Sequence, residues 1–151
     1  YGSWVAKQFN LDPKNLTREQ FDEQLKNLLE AENPGLVVLI GYMRILTPKF
    51  VQYFKNRIIN VHPALLPKFG GKGMYGGRVH EAVIISGDKV SGITIHYVDE
   101  HYDNGEHILQ ALCRVDENDT PESLAKKIHE LEYFYFPKAV EKAIEDLKVK
   151  N

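Results

Sequence analysis

The sequence is short of several things, and each shortage removes a class of function. It holds one cysteine, Cys113. No disulfide can form within the chain, and a disulfide-stapled scaffold or a cysteine-rich metal cluster is excluded. No apolar run approaches the roughly 20 residues that a membrane-spanning helix needs, and no signal-peptide pattern is present. Positive charge is scarce too. Lysine and arginine number 19 against 21 aspartate and glutamate, a net charge of −2. Basic residues are not gathered into a patch, so neither nucleic acid nor an anionic membrane is indicated as partner. The G-x-S-x-G elbow of serine hydrolases and the G-x-x-x-x-G-K-[ST] phosphate loop are both missing. A cytoplasmic location is the expectation.

What remains is an ordinary globular composition, 43% hydrophobic and 26% charged over 151 residues. That is one domain, residues 1–151, long enough to bury about two-thirds of its unfolded surface. Trp4, Val5 and Phe9 read as one face of a short helix, and the missing initiator methionine suggests that an N-terminal portion precedes Tyr1. Thr17-Arg18-Glu19-Gln20 is a capping box. Phe21, Leu25, Leu28 and Leu29 follow as the apolar stripe of a helix. Leu36–Ile40 is a continuous apolar run, the pattern of a strand covered on both faces. Thr47-Pro48 starts a short helix through about Tyr53, and Ile58–Val61 is the next strand. Strand, helix, strand is the order of a βαβ unit, whose ligands lie beyond the carboxyl ends of the strands.

Farther along, the glycine-rich stretch from Lys68 to Gly77 reads as a mobile connection and a candidate lid, and Arg78–Ile85 as a helix. Ile93–Val98 and His107–Val115 read as an antiparallel hairpin around Asp99–Gly105. A last helix begins at Thr120-Pro121. Leu124, Ile128, Leu131, Tyr135, Val140, Ile144 and Leu147 form its expected buried face, with a kink at Pro137. The fold class is α/β: a doubly wound, mostly parallel sheet with an antiparallel C-terminal hairpin and a long C-terminal helix.

Chemistry concentrates in Ile59-Asn60-Val61-His62-Pro63. Asn60 and His62 are two apart, so on an extended backbone their side chains share a face. An amide donor beside an imidazole, at a strand end stiffened by proline, can stabilise an oxyanion. A strand-end asparagine closing a turn, with a histidine bonded to backbone, would look the same. Asp103, just before Asn104-Gly105, can approach His62 and favour its imidazolium form. Equally, it can be a turn residue bonded to its own backbone. His96, His101 and His107 lack the spacing of a compact zinc site, so no metal is expected. Cys113 reads as a small buried hydrophobe.

Together these passages resemble the formyltransferase family that uses 10-formyltetrahydrofolate. Four carry the likeness: Gly41-Tyr42-Met43-Arg44-Ile45-Leu46; Ile59 to Pro67; Ile95-His96-Tyr97-Val98 with Asp103 beyond; and Leu131-Glu132 ahead of Pro137. The resemblance implies a Rossmann-like fold and Asn60, His62 and Asp103 as the catalytic trio. It also implies a folate pocket formed by Met43, Arg44, Ile45 and Leu46 with Asn60, Asp99, Glu100 and Asp103. Gly41, Pro63 and Glu132 would meet the acceptor substrate, a glycinamide ribonucleotide whose amine takes the formyl group in purine synthesis. No metal is implied, and a monomer or weak homodimer is expected. A formyltetrahydrofolate hydrolase and a non-catalytic folate-binding relative are the alternatives. Two departures stand out. The family's opening strand and glycine-rich phosphate loop would precede Tyr1, which makes an N-terminally incomplete domain the expectation. The Lys68–His80 connection is also longer than in the family.

Overall fold

In the computed structural model, residues 14–42, 45–101 and 103–150 are described. The expected helix face at Trp4, Val5 and Phe9 lies outside them, as do Met43 and Arg44. Thr17 opens the first helix, α1 (Arg18–Glu32). Its hydroxyl accepts the Gln20 N–H at 3.2 Å, and the Gln20 side chain accepts the Thr17 N–H at 2.9 Å. This is the reciprocal pairing that the sequence spacing predicts. Asn33 ends the helix in the left-handed region. Phe21 and Leu25 are buried, with Leu28 and Leu29 packed beside them.

Strand β1 (Val37–Leu39), helix α2 (Pro48–Tyr53) and strand β2 (Ile58–His62) form the expected βαβ unit, and the two strands pair in parallel. Thr47 caps α2 and Pro48 occupies its first turn. The buried carboxylate of Asp22, on α1, accepts the Thr47 N–H and so ties the two helices together. Helix α3 (Gly77–Ser86) leads to β3 (Val90–Tyr97), which pairs antiparallel with both β2 and β4 (His107–Arg114). The sheet order is β1-β2-β3-β4. Its parallel share among the described strands is the β1–β2 pair, and the remainder is antiparallel.

Side-chain alternation then divides the core in two. Ile58 faces Phe21, Leu25, Phe50 and Phe54 of the α1 and α2 layer. On the opposite face, Ile93, Ile95 and Ala111 meet Val83 of α3 and Leu124, Ile128 and Ala139 of helix α4 (Pro121–Lys150). Helices therefore cover both faces, which is why β2 and β3 carry long apolar stretches. Helix α4 continues through Pro137. Beyond it the fully buried positions are Ala139 and Ala143, whereas Ile144 is 41% exposed. The apolar stripe expected there turns away from the sheet by about one position. Small residues make the closest approach, and Val140, Ile144 and Leu147 line an open groove against Leu36 and Val38 of about 490 Å³.

Candidate active site

Strand β2 delivers Asn60 and His62 to one face, and β3 supplies their cross-strand partners. Asn60 stands opposite His96, and His62 opposite Thr94. His62, His96 and Thr94 are all buried, with exposures of 4%, 2% and 0%. Asp103 reaches the same place from the β3–β4 loop. Its backbone is left-handed, with φ 49°, a conformation that aspartate tolerates better than most residues. Its Oδ2 accepts the Gly71 N–H at 2.9 Å. Glycine at 105 lets the loop return this tightly, since a Cβ there would lie 1.7 Å from the Tyr97 carbonyl oxygen.

Asp103 is shared by two histidines. Its Oδ2 lies 3.6 Å from His62 Nδ1 and its Oδ1 lies 3.7 Å from His96 Nε2. These are charge-pairing distances, longer than a hydrogen bond. The other nitrogen of each ring is firmly held. His62 Nε2 is 2.8 Å from the Phe69 carbonyl oxygen, and His96 Nδ1 is 2.8 Å from the Tyr97 carbonyl oxygen. A carbonyl only accepts, so both of these nitrogens carry hydrogen. His62 thus has an oxygen near each end of its ring, the Phe69 carbonyl at hydrogen-bond distance and the Asp103 carboxylate at charge-pairing distance. In His96 the buried Nε2 has no hydrogen-bond partner. Burial pushes the His96 imidazole below its ordinary range, against the opposing pull of the Tyr97 carbonyl and Asp103. Desolvation thus favours the neutral form of the His96 ring.

The Asn60 amide makes no hydrogen bond among the described residues. It is half-buried beside a fixed imidazole and retains its donor capacity for an incoming oxygen. Sequence reasoning put Asn60, His62 and Asp103 together, and the structure does the same. It missed His96 as a second neighbour of Asp103, and it missed the Phe69 carbonyl altogether. The cross-strand position of His96, two residues from Thr94, was the available signal. The Phe69 contact depends on a left-handed backbone at Phe69, φ 57°, which no side-chain pattern marks.

The other expected residues are placed less tightly. Glu132 pairs with His129 Nδ1 at 3.0 Å on α4. Buried His80 lies on α3. Burial is the main cause that lowers the His80 imidazole's proton affinity. Leu46 is buried, and its carbonyl accepts from Arg18, while Ile45 is 40% exposed. Gly41 is left-handed and exposed, and Pro63 is half-buried. Asp99 accepts the His101 N–H at 2.7 Å, and Glu100 accepts from the Gln52 amide at 2.7 Å. Among the described residues no three His, Cys, Asp or Glu side chains gather as metal ligands would. The groove beside β1 has an apolar lining apart from Lys148 and offers no comparable chemistry.

The profile of the formyl transferase family matches residues 5–140. The chain belongs to the formyl transferase family. It is 49% identical to the chloroplastic phosphoribosylglycinamide formyltransferase of Arabidopsis thaliana over 113 residues, which are 74% of this chain and 39% of that protein. The chain thus spans about two-fifths of the length of that relative. The crystal structure of phosphoribosylglycinamide formyltransferase from Bacillus halodurans superposes with a TM-score of 0.79 at 38% identity, covering 87% of this chain and 66% of the other. A formyltetrahydrofolate deformylase from Pseudomonas syringae superposes with a TM-score of 0.78 at 29% identity, over 89% of this chain and 43% of its own. No helix among the described residues is long and apolar enough to cross a membrane. The plant relative's name shows that membership of the family does not fix one compartment.

Proposed function

We propose that residues 1–151 belong to one catalytic domain, N-terminally incomplete here, that transfers a formyl group from 10-formyltetrahydrofolate to the amine of glycinamide ribonucleotide, a step of purine biosynthesis. One observation carries the reading: the Asn60 amide has no hydrogen-bond partner among the described residues and lies beside an imidazole held between Asp103 and the Phe69 carbonyl. A donor with spare capacity next to a fixed, charge-paired ring suits a reaction in which negative charge appears on one oxygen.

The acceptor amine attacks the formyl carbon, a C–N bond forms, and the carbonyl electron pair moves onto oxygen. Asn60 donates to that oxyanion, and the His62 imidazolium stabilises it. Asp103 balances the charge on His62 and fixes the ring plane. Collapse of the intermediate restores the carbonyl and breaks the bond to the folate nitrogen. The proton lost by the amine passes to that nitrogen. No covalent enzyme intermediate is required. The backbone at Met43–Leu46 and the loop carrying Asp99, Glu100 and Asp103 would line the folate pocket. Gly41, Pro63 and Glu132 would face the ribonucleotide, with Glu132 attracting the amine end. Relatives named phosphoribosylglycinamide formyltransferase support this reading, and cytoplasm is the compartment proposed.

The likeness to the Pseudomonas deformylase keeps a second reading in view, in which water replaces the amine as acceptor. Single-turnover transfer from 10-formyltetrahydrofolate, with and without glycinamide ribonucleotide, separates the two. Formylated ribonucleotide formed only when the amine is present supports the transferase. Free formate released without it supports the hydrolase, and no turnover of the donor in either arm overturns both.

A further inference from the structure

The Phe69 carbonyl is seven residues beyond His62, so the contact between them depends on how the connection Pro63–Phe69 is held. Two side chains on the sheet hold it, and they share a row with His62. His62 pairs with Thr94, and Thr94 pairs with Gln110, across β2, β3 and β4. Paired residues point to the same face of a sheet, so the three side chains stand side by side beneath the connection. Thr94 Oγ1 donates to the Ala64 carbonyl at 2.8 Å and accepts the Leu66 N–H at 3.0 Å. One amide nitrogen of Gln110, Nε2, completes the set, donating to Thr94 Oγ1 at 2.9 Å and to the Leu66 carbonyl at 3.1 Å.

The accounting closes. A threonine hydroxyl has one hydrogen and two lone pairs, and a primary amide nitrogen has two hydrogens. All of them are used, and both backbone groups of Leu66 are satisfied. Phe69 then turns through its left-handed conformation with its ring packed on the α4 side of the core. Such a backbone persists only where its surroundings over-determine it. Without the Gln110 amide, the Leu66 carbonyl and one Thr94 lone pair lose their donor. The turn that aims the Phe69 oxygen is then free to relax.

We propose that Gln110 is a positioning residue for His62. Its amide locks the Pro63–Phe69 connection, which holds hydrogen on His62 Nε2 and leaves Nδ1 facing Asp103. Where the formyl-transfer reading above holds, this sets the orientation of the catalytic ring from two strands away.

The test is ring ¹H–¹⁵N spectroscopy of the full chain labelled at histidine, comparing wild type with Gln110→Met, which keeps the length of the side chain and removes both donors. The expected result is that the His62 Nε2–H exchanges about tenfold faster or more, as for the loss of one net hydrogen bond. The His96 Nδ1–H, held by the Tyr97 carbonyl on β3 itself, should keep its protection. Gln110→Glu offers acceptors only and should reproduce the effect. Thr94→Val combined with Gln110→Met should add little to the single variants, because both act on one turn. Wild-type protection of His62 in Gln110→Met overturns the proposal. So does equal loss at His62 and His96, which would mean general loosening of the sheet. Should Gln110→Met fail to fold, Gln110→Asn, which retains an amide too short to reach both partners, gives the same contrast. In single-turnover transfer the same variants should slow the step about tenfold with donor affinity unchanged. The spectra need no turnover, so failure of the functional reading and failure of this proposal give different results.

Discussion

Asn60 and His62 differ in how much of their bonding capacity the fold already uses. Both ring nitrogens of His62 meet protein oxygens, whereas the Asn60 amide meets none among the described residues. Asn60→Ala should therefore remove a donor from the transition state while disturbing the folded state little. A loss of roughly 10²–10³ in kcat, with thermal stability near wild type, is expected. His62→Ala and Asp103→Ala should also abolish transfer. They should cost stability as well, because each strands a partner in a buried cluster. Transfer and melting measured on all three variants check this, and near-normal turnover in any one would sink the mechanism. His80 supplies a pH signature. Burial lowers its folded-state proton affinity below the ordinary 6.5. As pH falls through that value the unfolded chain takes up a proton that the folded chain refuses. The stability tied to a neutral His80 is present above about 6.5 and lost progressively below it. His96 adds in the same direction. His80→Gln should flatten the acid side of a plot of melting temperature against pH, and an unchanged slope would remove His80 as its source.

Elements were legible where local chemistry defines them. The Thr17 and Thr47 caps, the Pro48 start and the apolar run at Ile58–Val61 lie within a few residues of the structures they specify, and each formed where expected. The run at Leu36–Ile40, by contrast, gives a strand over Val37–Leu39 that is half-buried, not covered on both faces, with Ile40 71% exposed. In the C-terminal half of α4 the periodicity points to the large apolar residues Val140 and Ile144 as the buried face, but close approach to the sheet selects Ala139 and Ala143, one position away. The site follows the same division. Asn60 and His62 share a face by strand periodicity alone, so they could be paired from sequence. Partners that arrive through left-handed residues, Phe69 and Asp103, have no periodic signal. The place of Asp103 beside a turn made it one candidate neighbour of His62 and left a turn role equally open, the family resemblance favoured the first, and the Phe69 carbonyl was not found at all. The β3–β4 loop offers a direct test of how narrowly such a turn is defined. Gly105→Ala would push a methyl group to 1.7 Å from the Tyr97 carbonyl oxygen, so the backbone must move. Equilibrium denaturation should show a loss of about 1–3 kcal/mol. Transfer should fall further than stability, because the same loop carries Asp103. Wild-type activity in this variant would show that Asp103 holds its place independently of the loop's path.

At the scale of the whole molecule, one sheet serves two cores. Ile58 belongs to the layer with α1 and α2, and Ile95 to the layer with α3 and α4. The strands that carry them pair directly and also carry Asn60, His62, Thr94 and His96. Asn60, His62, Thr94 and His96 thus sit where both cores pin the same backbone, while Asp103 and the Phe69 carbonyl reach them from loops. Neither core can melt without releasing β2 or β3 from one of its supports, so the two layers should unfold together. Ile58→Val and Ile95→Val each remove one buried methylene and should each cost about 0.5–1.5 kcal/mol. The residues face opposite layers and share no side-chain partner, so the double variant should show the sum within about 0.5 kcal/mol. Denaturation followed by fluorescence and by far-ultraviolet circular dichroism should give coincident curves in all four proteins. Separated curves in either single variant would mean that one layer survives loss of the other. The trio would then depend on the surviving layer alone, and only the variant in that layer should depress formyl transfer.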